Sequence, residues 1–236
     1  MALVLAFMTL TYGVVFFFEQ SHAMRISSED NVIEYLGAFL FFTAAMLFFF
    51  ASTHTRTIDG NTKPRLQVLA ILLSCGLLWI ALEEISYGQR IFGFDTPETL
   101  KTINTQREFN LHNLEIVSSE SGLAHWFNIQ RLFSVFWLVY CVVFPVVYGR
   151  SRWIQTVCSR LYIPVAPIWL GGAFLLNFAL AKALALWVVP VELVDAVTEI
   201  KETNYACLFA CFAYIEQRGK LALLRSQSRL VHEVAA

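Results

Sequence analysis

Six long apolar runs, with charges sorted to alternate sides of them, constrain this chain more than any motif. A bilayer core takes about 20 apolar residues per helix, with a range of about 17–25. The runs are Ala2–Phe18, Val32–Ser52, Leu66–Ser86, Arg131–Gly149, Pro164–Val189 and roughly Asp195–Glu216. The expected fold is all-α: a polytopic membrane helical bundle of six transmembrane helices. Short interfacial helices are expected in the outward 87–130 segment. Residues 1–217 then form a single transmembrane domain, followed by a short basic tail over 218–236.

With the runs as spans, ten of the 17 Lys+Arg fall in one alternating set of loops and the C-terminal tail. They are Arg56, Lys63 and Arg65, then Arg150, Arg152 and Arg160, then Arg218, Lys220, Arg225 and Arg229. Lys and Arg in short loops resist translocation, so this side is the cytoplasm and both termini lie there. About 15 of the 18 Asp+Glu fall on the opposite side or just inside the spans beside it. Some of those carboxylates sit where lipid should be.

Composition agrees. Charged residues make up 15% and hydrophobic residues 57%, against about 25% charged in soluble domains. A net charge of −1 with thinly spread basic residues argues against nucleic acid, which calls for a clustered basic face. Membrane lipids are the expected surroundings, with a membrane-protein partner or a homo-oligomer as further possibilities. Four of the five cysteines lie in apolar runs, so no extracellular disulfide framework is expected. Cys207 and Cys211 share a helical face, where small-residue packing fits better than a soft metal.

Two spans have rival readings. Ser21-His22-Ala23 resembles a signal-peptide cleavage site, but no Lys or Arg precedes the run and Glu19 crowds it, which favours an uncleaved first helix. In the sixth span only Tyr205–Ile215 is strongly apolar, so crossing brings in Glu199, Lys201 and Glu202. Each charge costs at least about 2.5–3.5 kcal/mol at the bilayer centre, so this helix must face protein.

The stretch from Tyr87 to Gln130 is too long for a plain connector. Thr96-Pro97-Glu98 reads as N-cap, N1 proline and first-turn acid, predicting a short helix to about Thr105. Leu111, Leu114 and Val117 recur at helical spacing, predicting a second.

The charges inside the spans are the candidates for chemistry. Glu192, Asp195, Glu199 and Glu202 step by three, four and three and share a helix face. Lys182 lies seven residues before Val189, about 10 Å of helix rise. Glu202 falls at similar depth, so the two are expected to pair. Glu83 and Glu84 close the third span and Glu34 opens the second at comparable depth. His112 and Glu115 are three apart. Glu83, His112, Glu115, Glu199 and Glu202 together offer enough nitrogen and oxygen ligands for a divalent metal, although the paired Glu-x-x-His pattern of di-iron bundles is missing. No phosphate loop, nucleophile elbow or His-Glu-x-x-His occurs.

Glu-Glu-Ile-Ser-Tyr-Gly-Gln-Arg (83–90), followed by Asn104-Thr-Gln-Arg-Glu-Phe-Asn-Leu-His-Asn113, resembles a segment of uncharacterised bacterial multi-pass inner-membrane proteins. The resemblance implies a bacterial inner membrane and directs attention to Glu83, Glu84, Gln89, Arg90, His112 and Asn113. It implies no activity.

Three functions compete. In a membrane-embedded enzyme acting on a lipid or lipid-linked substrate, Glu84 and His112 handle protons. Arg90, Arg131 and Lys182, with Gln89 and Asn113, bind the substrate. A non-catalytic subunit or scaffold of a membrane complex is the second. A transporter or ion pathway is the third, and the dry inner halves of the helices argue against it.

Overall fold

A computed structural model describes residues 1–17, 32–53, 67–104, 107–111, 114 and 128–235. Among these residues the chain is helical apart from connecting turns, with no strand and one isolated antiparallel bridge between Asn104 and Leu114. The helices are α1 (Ala2–Phe17), α2 (Val32–Thr53), α3 (Val68–Glu84), α4 (Gln89–Phe92), α5 (Glu98–Lys101), α6 (Ile129–Arg150), α7 (Arg152–Leu161), α8 (Ile168–Val188) and α9 (Val194–Ala235).

Three of them, over Val32–Ser52, Ile129–Arg150 and Ile168–Val188, are long and apolar enough to cross a membrane. α1 and α3 are apolar but have 16 and 17 residues. Their exposed surface is greasy: Leu3 of α1 is 87% exposed and Leu72 of α3 is 59% exposed. Apolar side chains spread over the outside of a bundle suit lipid, where the helix satisfies its own backbone hydrogen bonds.

The core is built round α9, which packs most extensively on α2, while α2 also packs on α3. Ala44, Ala45, Ala70, Ala206 and Ala213 are fully buried, and such small residues let helices approach closely where hydrophobicity cannot drive them together. Phe41, Phe48, Phe174, Phe209 and Phe212 fill the spaces between. Side-chain hydroxyls tie backbones across the contacts. Ser74 Oγ donates to Ala45 O at 2.8 Å, and Thr203 Oγ1 donates to Ile33 O at 2.9 Å.

Two helices are locally widened, and the sequence explains both. Pro145 has no N–H to give the carbonyl of Cys141 four residues earlier, and α6 runs as a π-helix over Leu138–Val143. Gly171 of α8 lies against that same carbonyl. α8 widens over Leu184–Val188, closing with Val189 N–H donating to Leu184 O at 3.0 Å just before Pro190.

Three details differ from the sequence expectations. The helix expected to start at Thr96 covers only Glu98–Lys101, because Thr96 Oγ1 accepts from Gln89 Nε2 at 2.8 Å instead of capping it. Leu111 and Leu114 lie in a bend and a bridge, the latter paired with Asn104, rather than in a helix; Val117 lies outside the described residues. The basic tail continues α9 as helix to Ala235.

Candidate functional site

Carboxylates of the apolar helices gather at one end of the bundle, where α3 ends and α2 and α9 begin. Carboxylate oxygens of Glu84, Glu199 and Glu202 all lie within 4.8 Å of one another. Glu84 comes from the last turn of α3. Glu199 and Glu202, three apart, share one face of α9. Glu34 and Glu83 are near enough to add their repulsion at Glu84. All of these except Glu83 are half-buried, and Glu83 is buried.

Two ionised carboxylates 4.8 Å apart repel by about 3.5 kcal/mol at an effective dielectric near 20. A shared proton, water or a cation would relieve that repulsion. Lys201 Nζ supplies one positive charge, 3.4 Å from Glu202 Oε1. The donor set is all oxygen, which suits hard cations such as Mg²⁺, Ca²⁺ or Mn²⁺.

Beside the acids, the chain turns sharply through three consecutive residues with positive φ: Ser86 (46°), Tyr87 (53°) and Gly88 (78°). Glycine takes this conformation freely, whereas each L-residue costs roughly 1–2 kcal/mol. Hydrogen bonds hold the turn. Ser86 Oγ donates to Glu108 Oε2 at 2.6 Å and accepts from Asn110 Nδ2 at 3.2 Å. Tyr87 OH donates to Glu83 Oε1 at 2.5 Å and accepts from Trp79 Nε1 at 2.9 Å. Partial burial, and then the bond to Glu83, push the Tyr87 hydroxyl up to about 12.

Asn104 and residues 107–111 fold back onto this turn. Glu83 Oε2 accepts from the Leu111 amide at 2.7 Å, and Gln89 Oε1 accepts from the Phe109 amide at 2.9 Å. Asn104 Nδ2 donates to Asn110 Oδ1 at 2.8 Å and to Asn110 O at 3.0 Å. The Glu83–Arg90 stretch and the segment after Asn104, singled out together in the sequence, are therefore bonded to each other. Tyr87, Leu100, Phe109, Asn110 and Leu111 line a shallow cleft of about 160 Å³ there.

The structure thus brings together Glu84, Glu199 and Glu202, and gives their neighbour Glu83 a different task, anchoring the returning segment. Gln89 is likewise held in the turn rather than pointing into open space. Arg131 is exposed in the first turn of α6. The expected Lys182–Glu202 pair does not form. Asn177, Ala181 and Leu184 are the inward face of α8, and that helix phase leaves Lys182 exposed while Lys201 takes Glu202. His112, Asn113 and Glu115 lie outside the described residues, as does the side chain of Arg90.

Sequence reasoning missed a buried polar layer one turn below the acids. Asn177, fully buried in α8, accepts from Tyr12 OH at 2.8 Å and donates from Nδ2 to Lys201 O at 2.9 Å. Thr11 Oγ1 donates to Asn204 Oδ1 at 3.0 Å. The available signal was a lone Asn in the middle of an apolar run. Ser86, Glu108 and Asn110 gave no such signal, since each looks like an ordinary loop residue. All five cysteines are free thiols.

Comparison with known protein families, curated proteins and solved structures finds no match.

Proposed function

We propose that this chain is a six-span protein of the bacterial inner membrane, with both termini cytoplasmic and its acidic centre opening outward. In this reading it is a divalent-cation-dependent enzyme acting on a lipid or lipid-linked substrate. One observation carries the proposal: Glu84, Glu199 and Glu202, from helices far apart in sequence, present their carboxylates within 4.8 Å of each other at one end of an apolar bundle. Such a cluster is costly unless a proton, water or a cation offsets its repulsion, and intramembrane acids are functional-site candidates by default. A cation there would polarise a phosphoryl or ester oxygen of a headgroup. A carboxylate outside its coordination sphere would take the proton from an attacking water and return it to the leaving alcohol, completing a hydrolysis.

Mn²⁺ binding to the purified protein in detergent, followed by electron paramagnetic resonance, tests the centre. Glu84→Gln and Glu202→Gln should each weaken binding at least tenfold while the protein stays folded. Turnover of extracted membrane lipids, followed by mass spectrometry, tests the activity, and Glu84→Gln should abolish it. Equal Mn²⁺ affinity in all three proteins would remove the centre. Lipid profiles unchanged by Glu84→Gln would remove the enzyme and favour the subunit reading, which the exposure of Lys182 supports independently.

A further inference from the structure

α8 carries a cation on the outside of the bundle. Lys182 is exposed, and among the described residues it pairs with no carboxylate. It stands in a helix long and apolar enough to span a membrane, between exposed Leu180 and Leu186. Val189 is seven residues away, about 10 Å of helix rise. Side chains lean toward the N-terminus of their helix, so Lys182 leans away from the interface near Val189. The start of the helix at Ile168 is fourteen residues off, about 21 Å. Reaching headgroups therefore means working against the lean at one end and over twice the distance at the other. A charge in such a place is expensive unless it is paired.

The surface round it has the shape of a helix-docking face. Gly172, Leu175, Ala179, Lys182 and Leu186 step by three, four, three and four and are all exposed. A Cβ at Gly172 would meet nothing within 4 Å. Small residues at 172 and 179 let a second helix come close enough for its backbone to pack.

We propose that this face of α8 docks a transmembrane helix of a different protein, one bearing an Asp or Glu at the depth of Lys182. Charge complementarity selects that occupant: an acid opposite Lys182 neutralises both charges at once. A second copy of this chain fits poorly: among the described residues Glu84, Glu199 and Glu202 are half-buried in their own centre, and the exposed Glu192 and Asp195 lie beyond Pro190, past the end of the spanning helix and not at the depth of Lys182. The inference is independent of the enzymatic reading.

Photo-crosslinking of the full-length protein in its own membranes, with the reactive side chain at Leu175 or Leu186, tests it. The expected adduct is a transmembrane segment containing Asp or Glu at matching depth. Its yield should fall at least tenfold in Lys182→Gln, persist in Lys182→Arg, and return in Lys182→Glu when the partner's acid is changed to Lys. Gly172→Leu, which leaves the charge alone, should also lower the yield by blocking close approach. Adducts to lipid only, adducts to a second copy, or a yield unchanged by Lys182→Gln in protein of wild-type melting temperature would overturn the proposal.

Discussion

Replacing Gly171 with Ala should destabilise the bundle, whereas the same change one residue later should not. A Cβ on Gly171 would sit 2.5 Å from Cys141 O and 3.2 Å from the Val142 Cα, both backbone atoms. Ordinary van der Waals contact begins near 3.4 Å, so α6 and α8 must part by about 0.9 Å. Neither atom can swing aside like a side-chain tip, and overpacking of this kind costs about 1–3 kcal/mol. At Gly172 a Cβ meets nothing within 4 Å, so Gly172→Ala retains only the helix-propensity gain of up to about 1 kcal/mol. That gain applies at both positions and cancels in their difference. Reversible unfolding in mixed micelles, followed by tryptophan fluorescence, should place Gly171→Ala about 1–3 kcal/mol below Gly172→Ala. Equal stability of the two variants would refute the close α6–α8 crossing at the widened turn.

Two further predictions rest on the polar contacts. Asn177→Leu leaves Tyr12 OH without its side-chain acceptor and Lys201 O without its side-chain donor. In a membrane bundle such bonds are worth about 0.6 kcal/mol each and up to about 1.7, so unfolding should show a loss of about 1–3 kcal/mol, and a neutral result would mean that the layer holds nothing together. Tyr87 should ionise near pH 12 rather than 10.0. Because its folded value is raised, the stabilisation from its neutral hydroxyl is complete below pH 10 and is lost as the pH climbs through 12. An alkaline titration of tyrosinate absorbance should lose this late step in Tyr87→Phe, and a step that stays would assign it to another residue.

The apolar runs were legible from the sequence, because in lipid only length and hydropathy decide whether a helix can span. Ala2–Phe17 and Val32–Thr53 begin where the hydropathy placed them and end within one residue of it. The ligand set read from the sequence contained Glu199 and Glu202 but named Glu83, whereas it is Glu84, read there as a proton-handling residue, whose carboxylate lies with theirs. What helix spacing left open was which residue faces inward. Lys182 and Glu202 lie at similar depth, yet the packing of Asn177, Ala181 and Leu184 turns Lys182 outward and leaves Glu202 to Lys201. The choice between Glu83 and Glu84 was likewise tertiary. They are adjacent and chemically alike, and only the returning Leu111 amide and the Tyr87 hydroxyl make one an anchor and leave the other to the centre. The left-handed turn at Ser86 and Tyr87 had no local signal beyond Gly88. Its cost is offset by contacts from Glu108 and Asn110, more than twenty residues away, and contacts of that range belong to the fold and not to the local sequence.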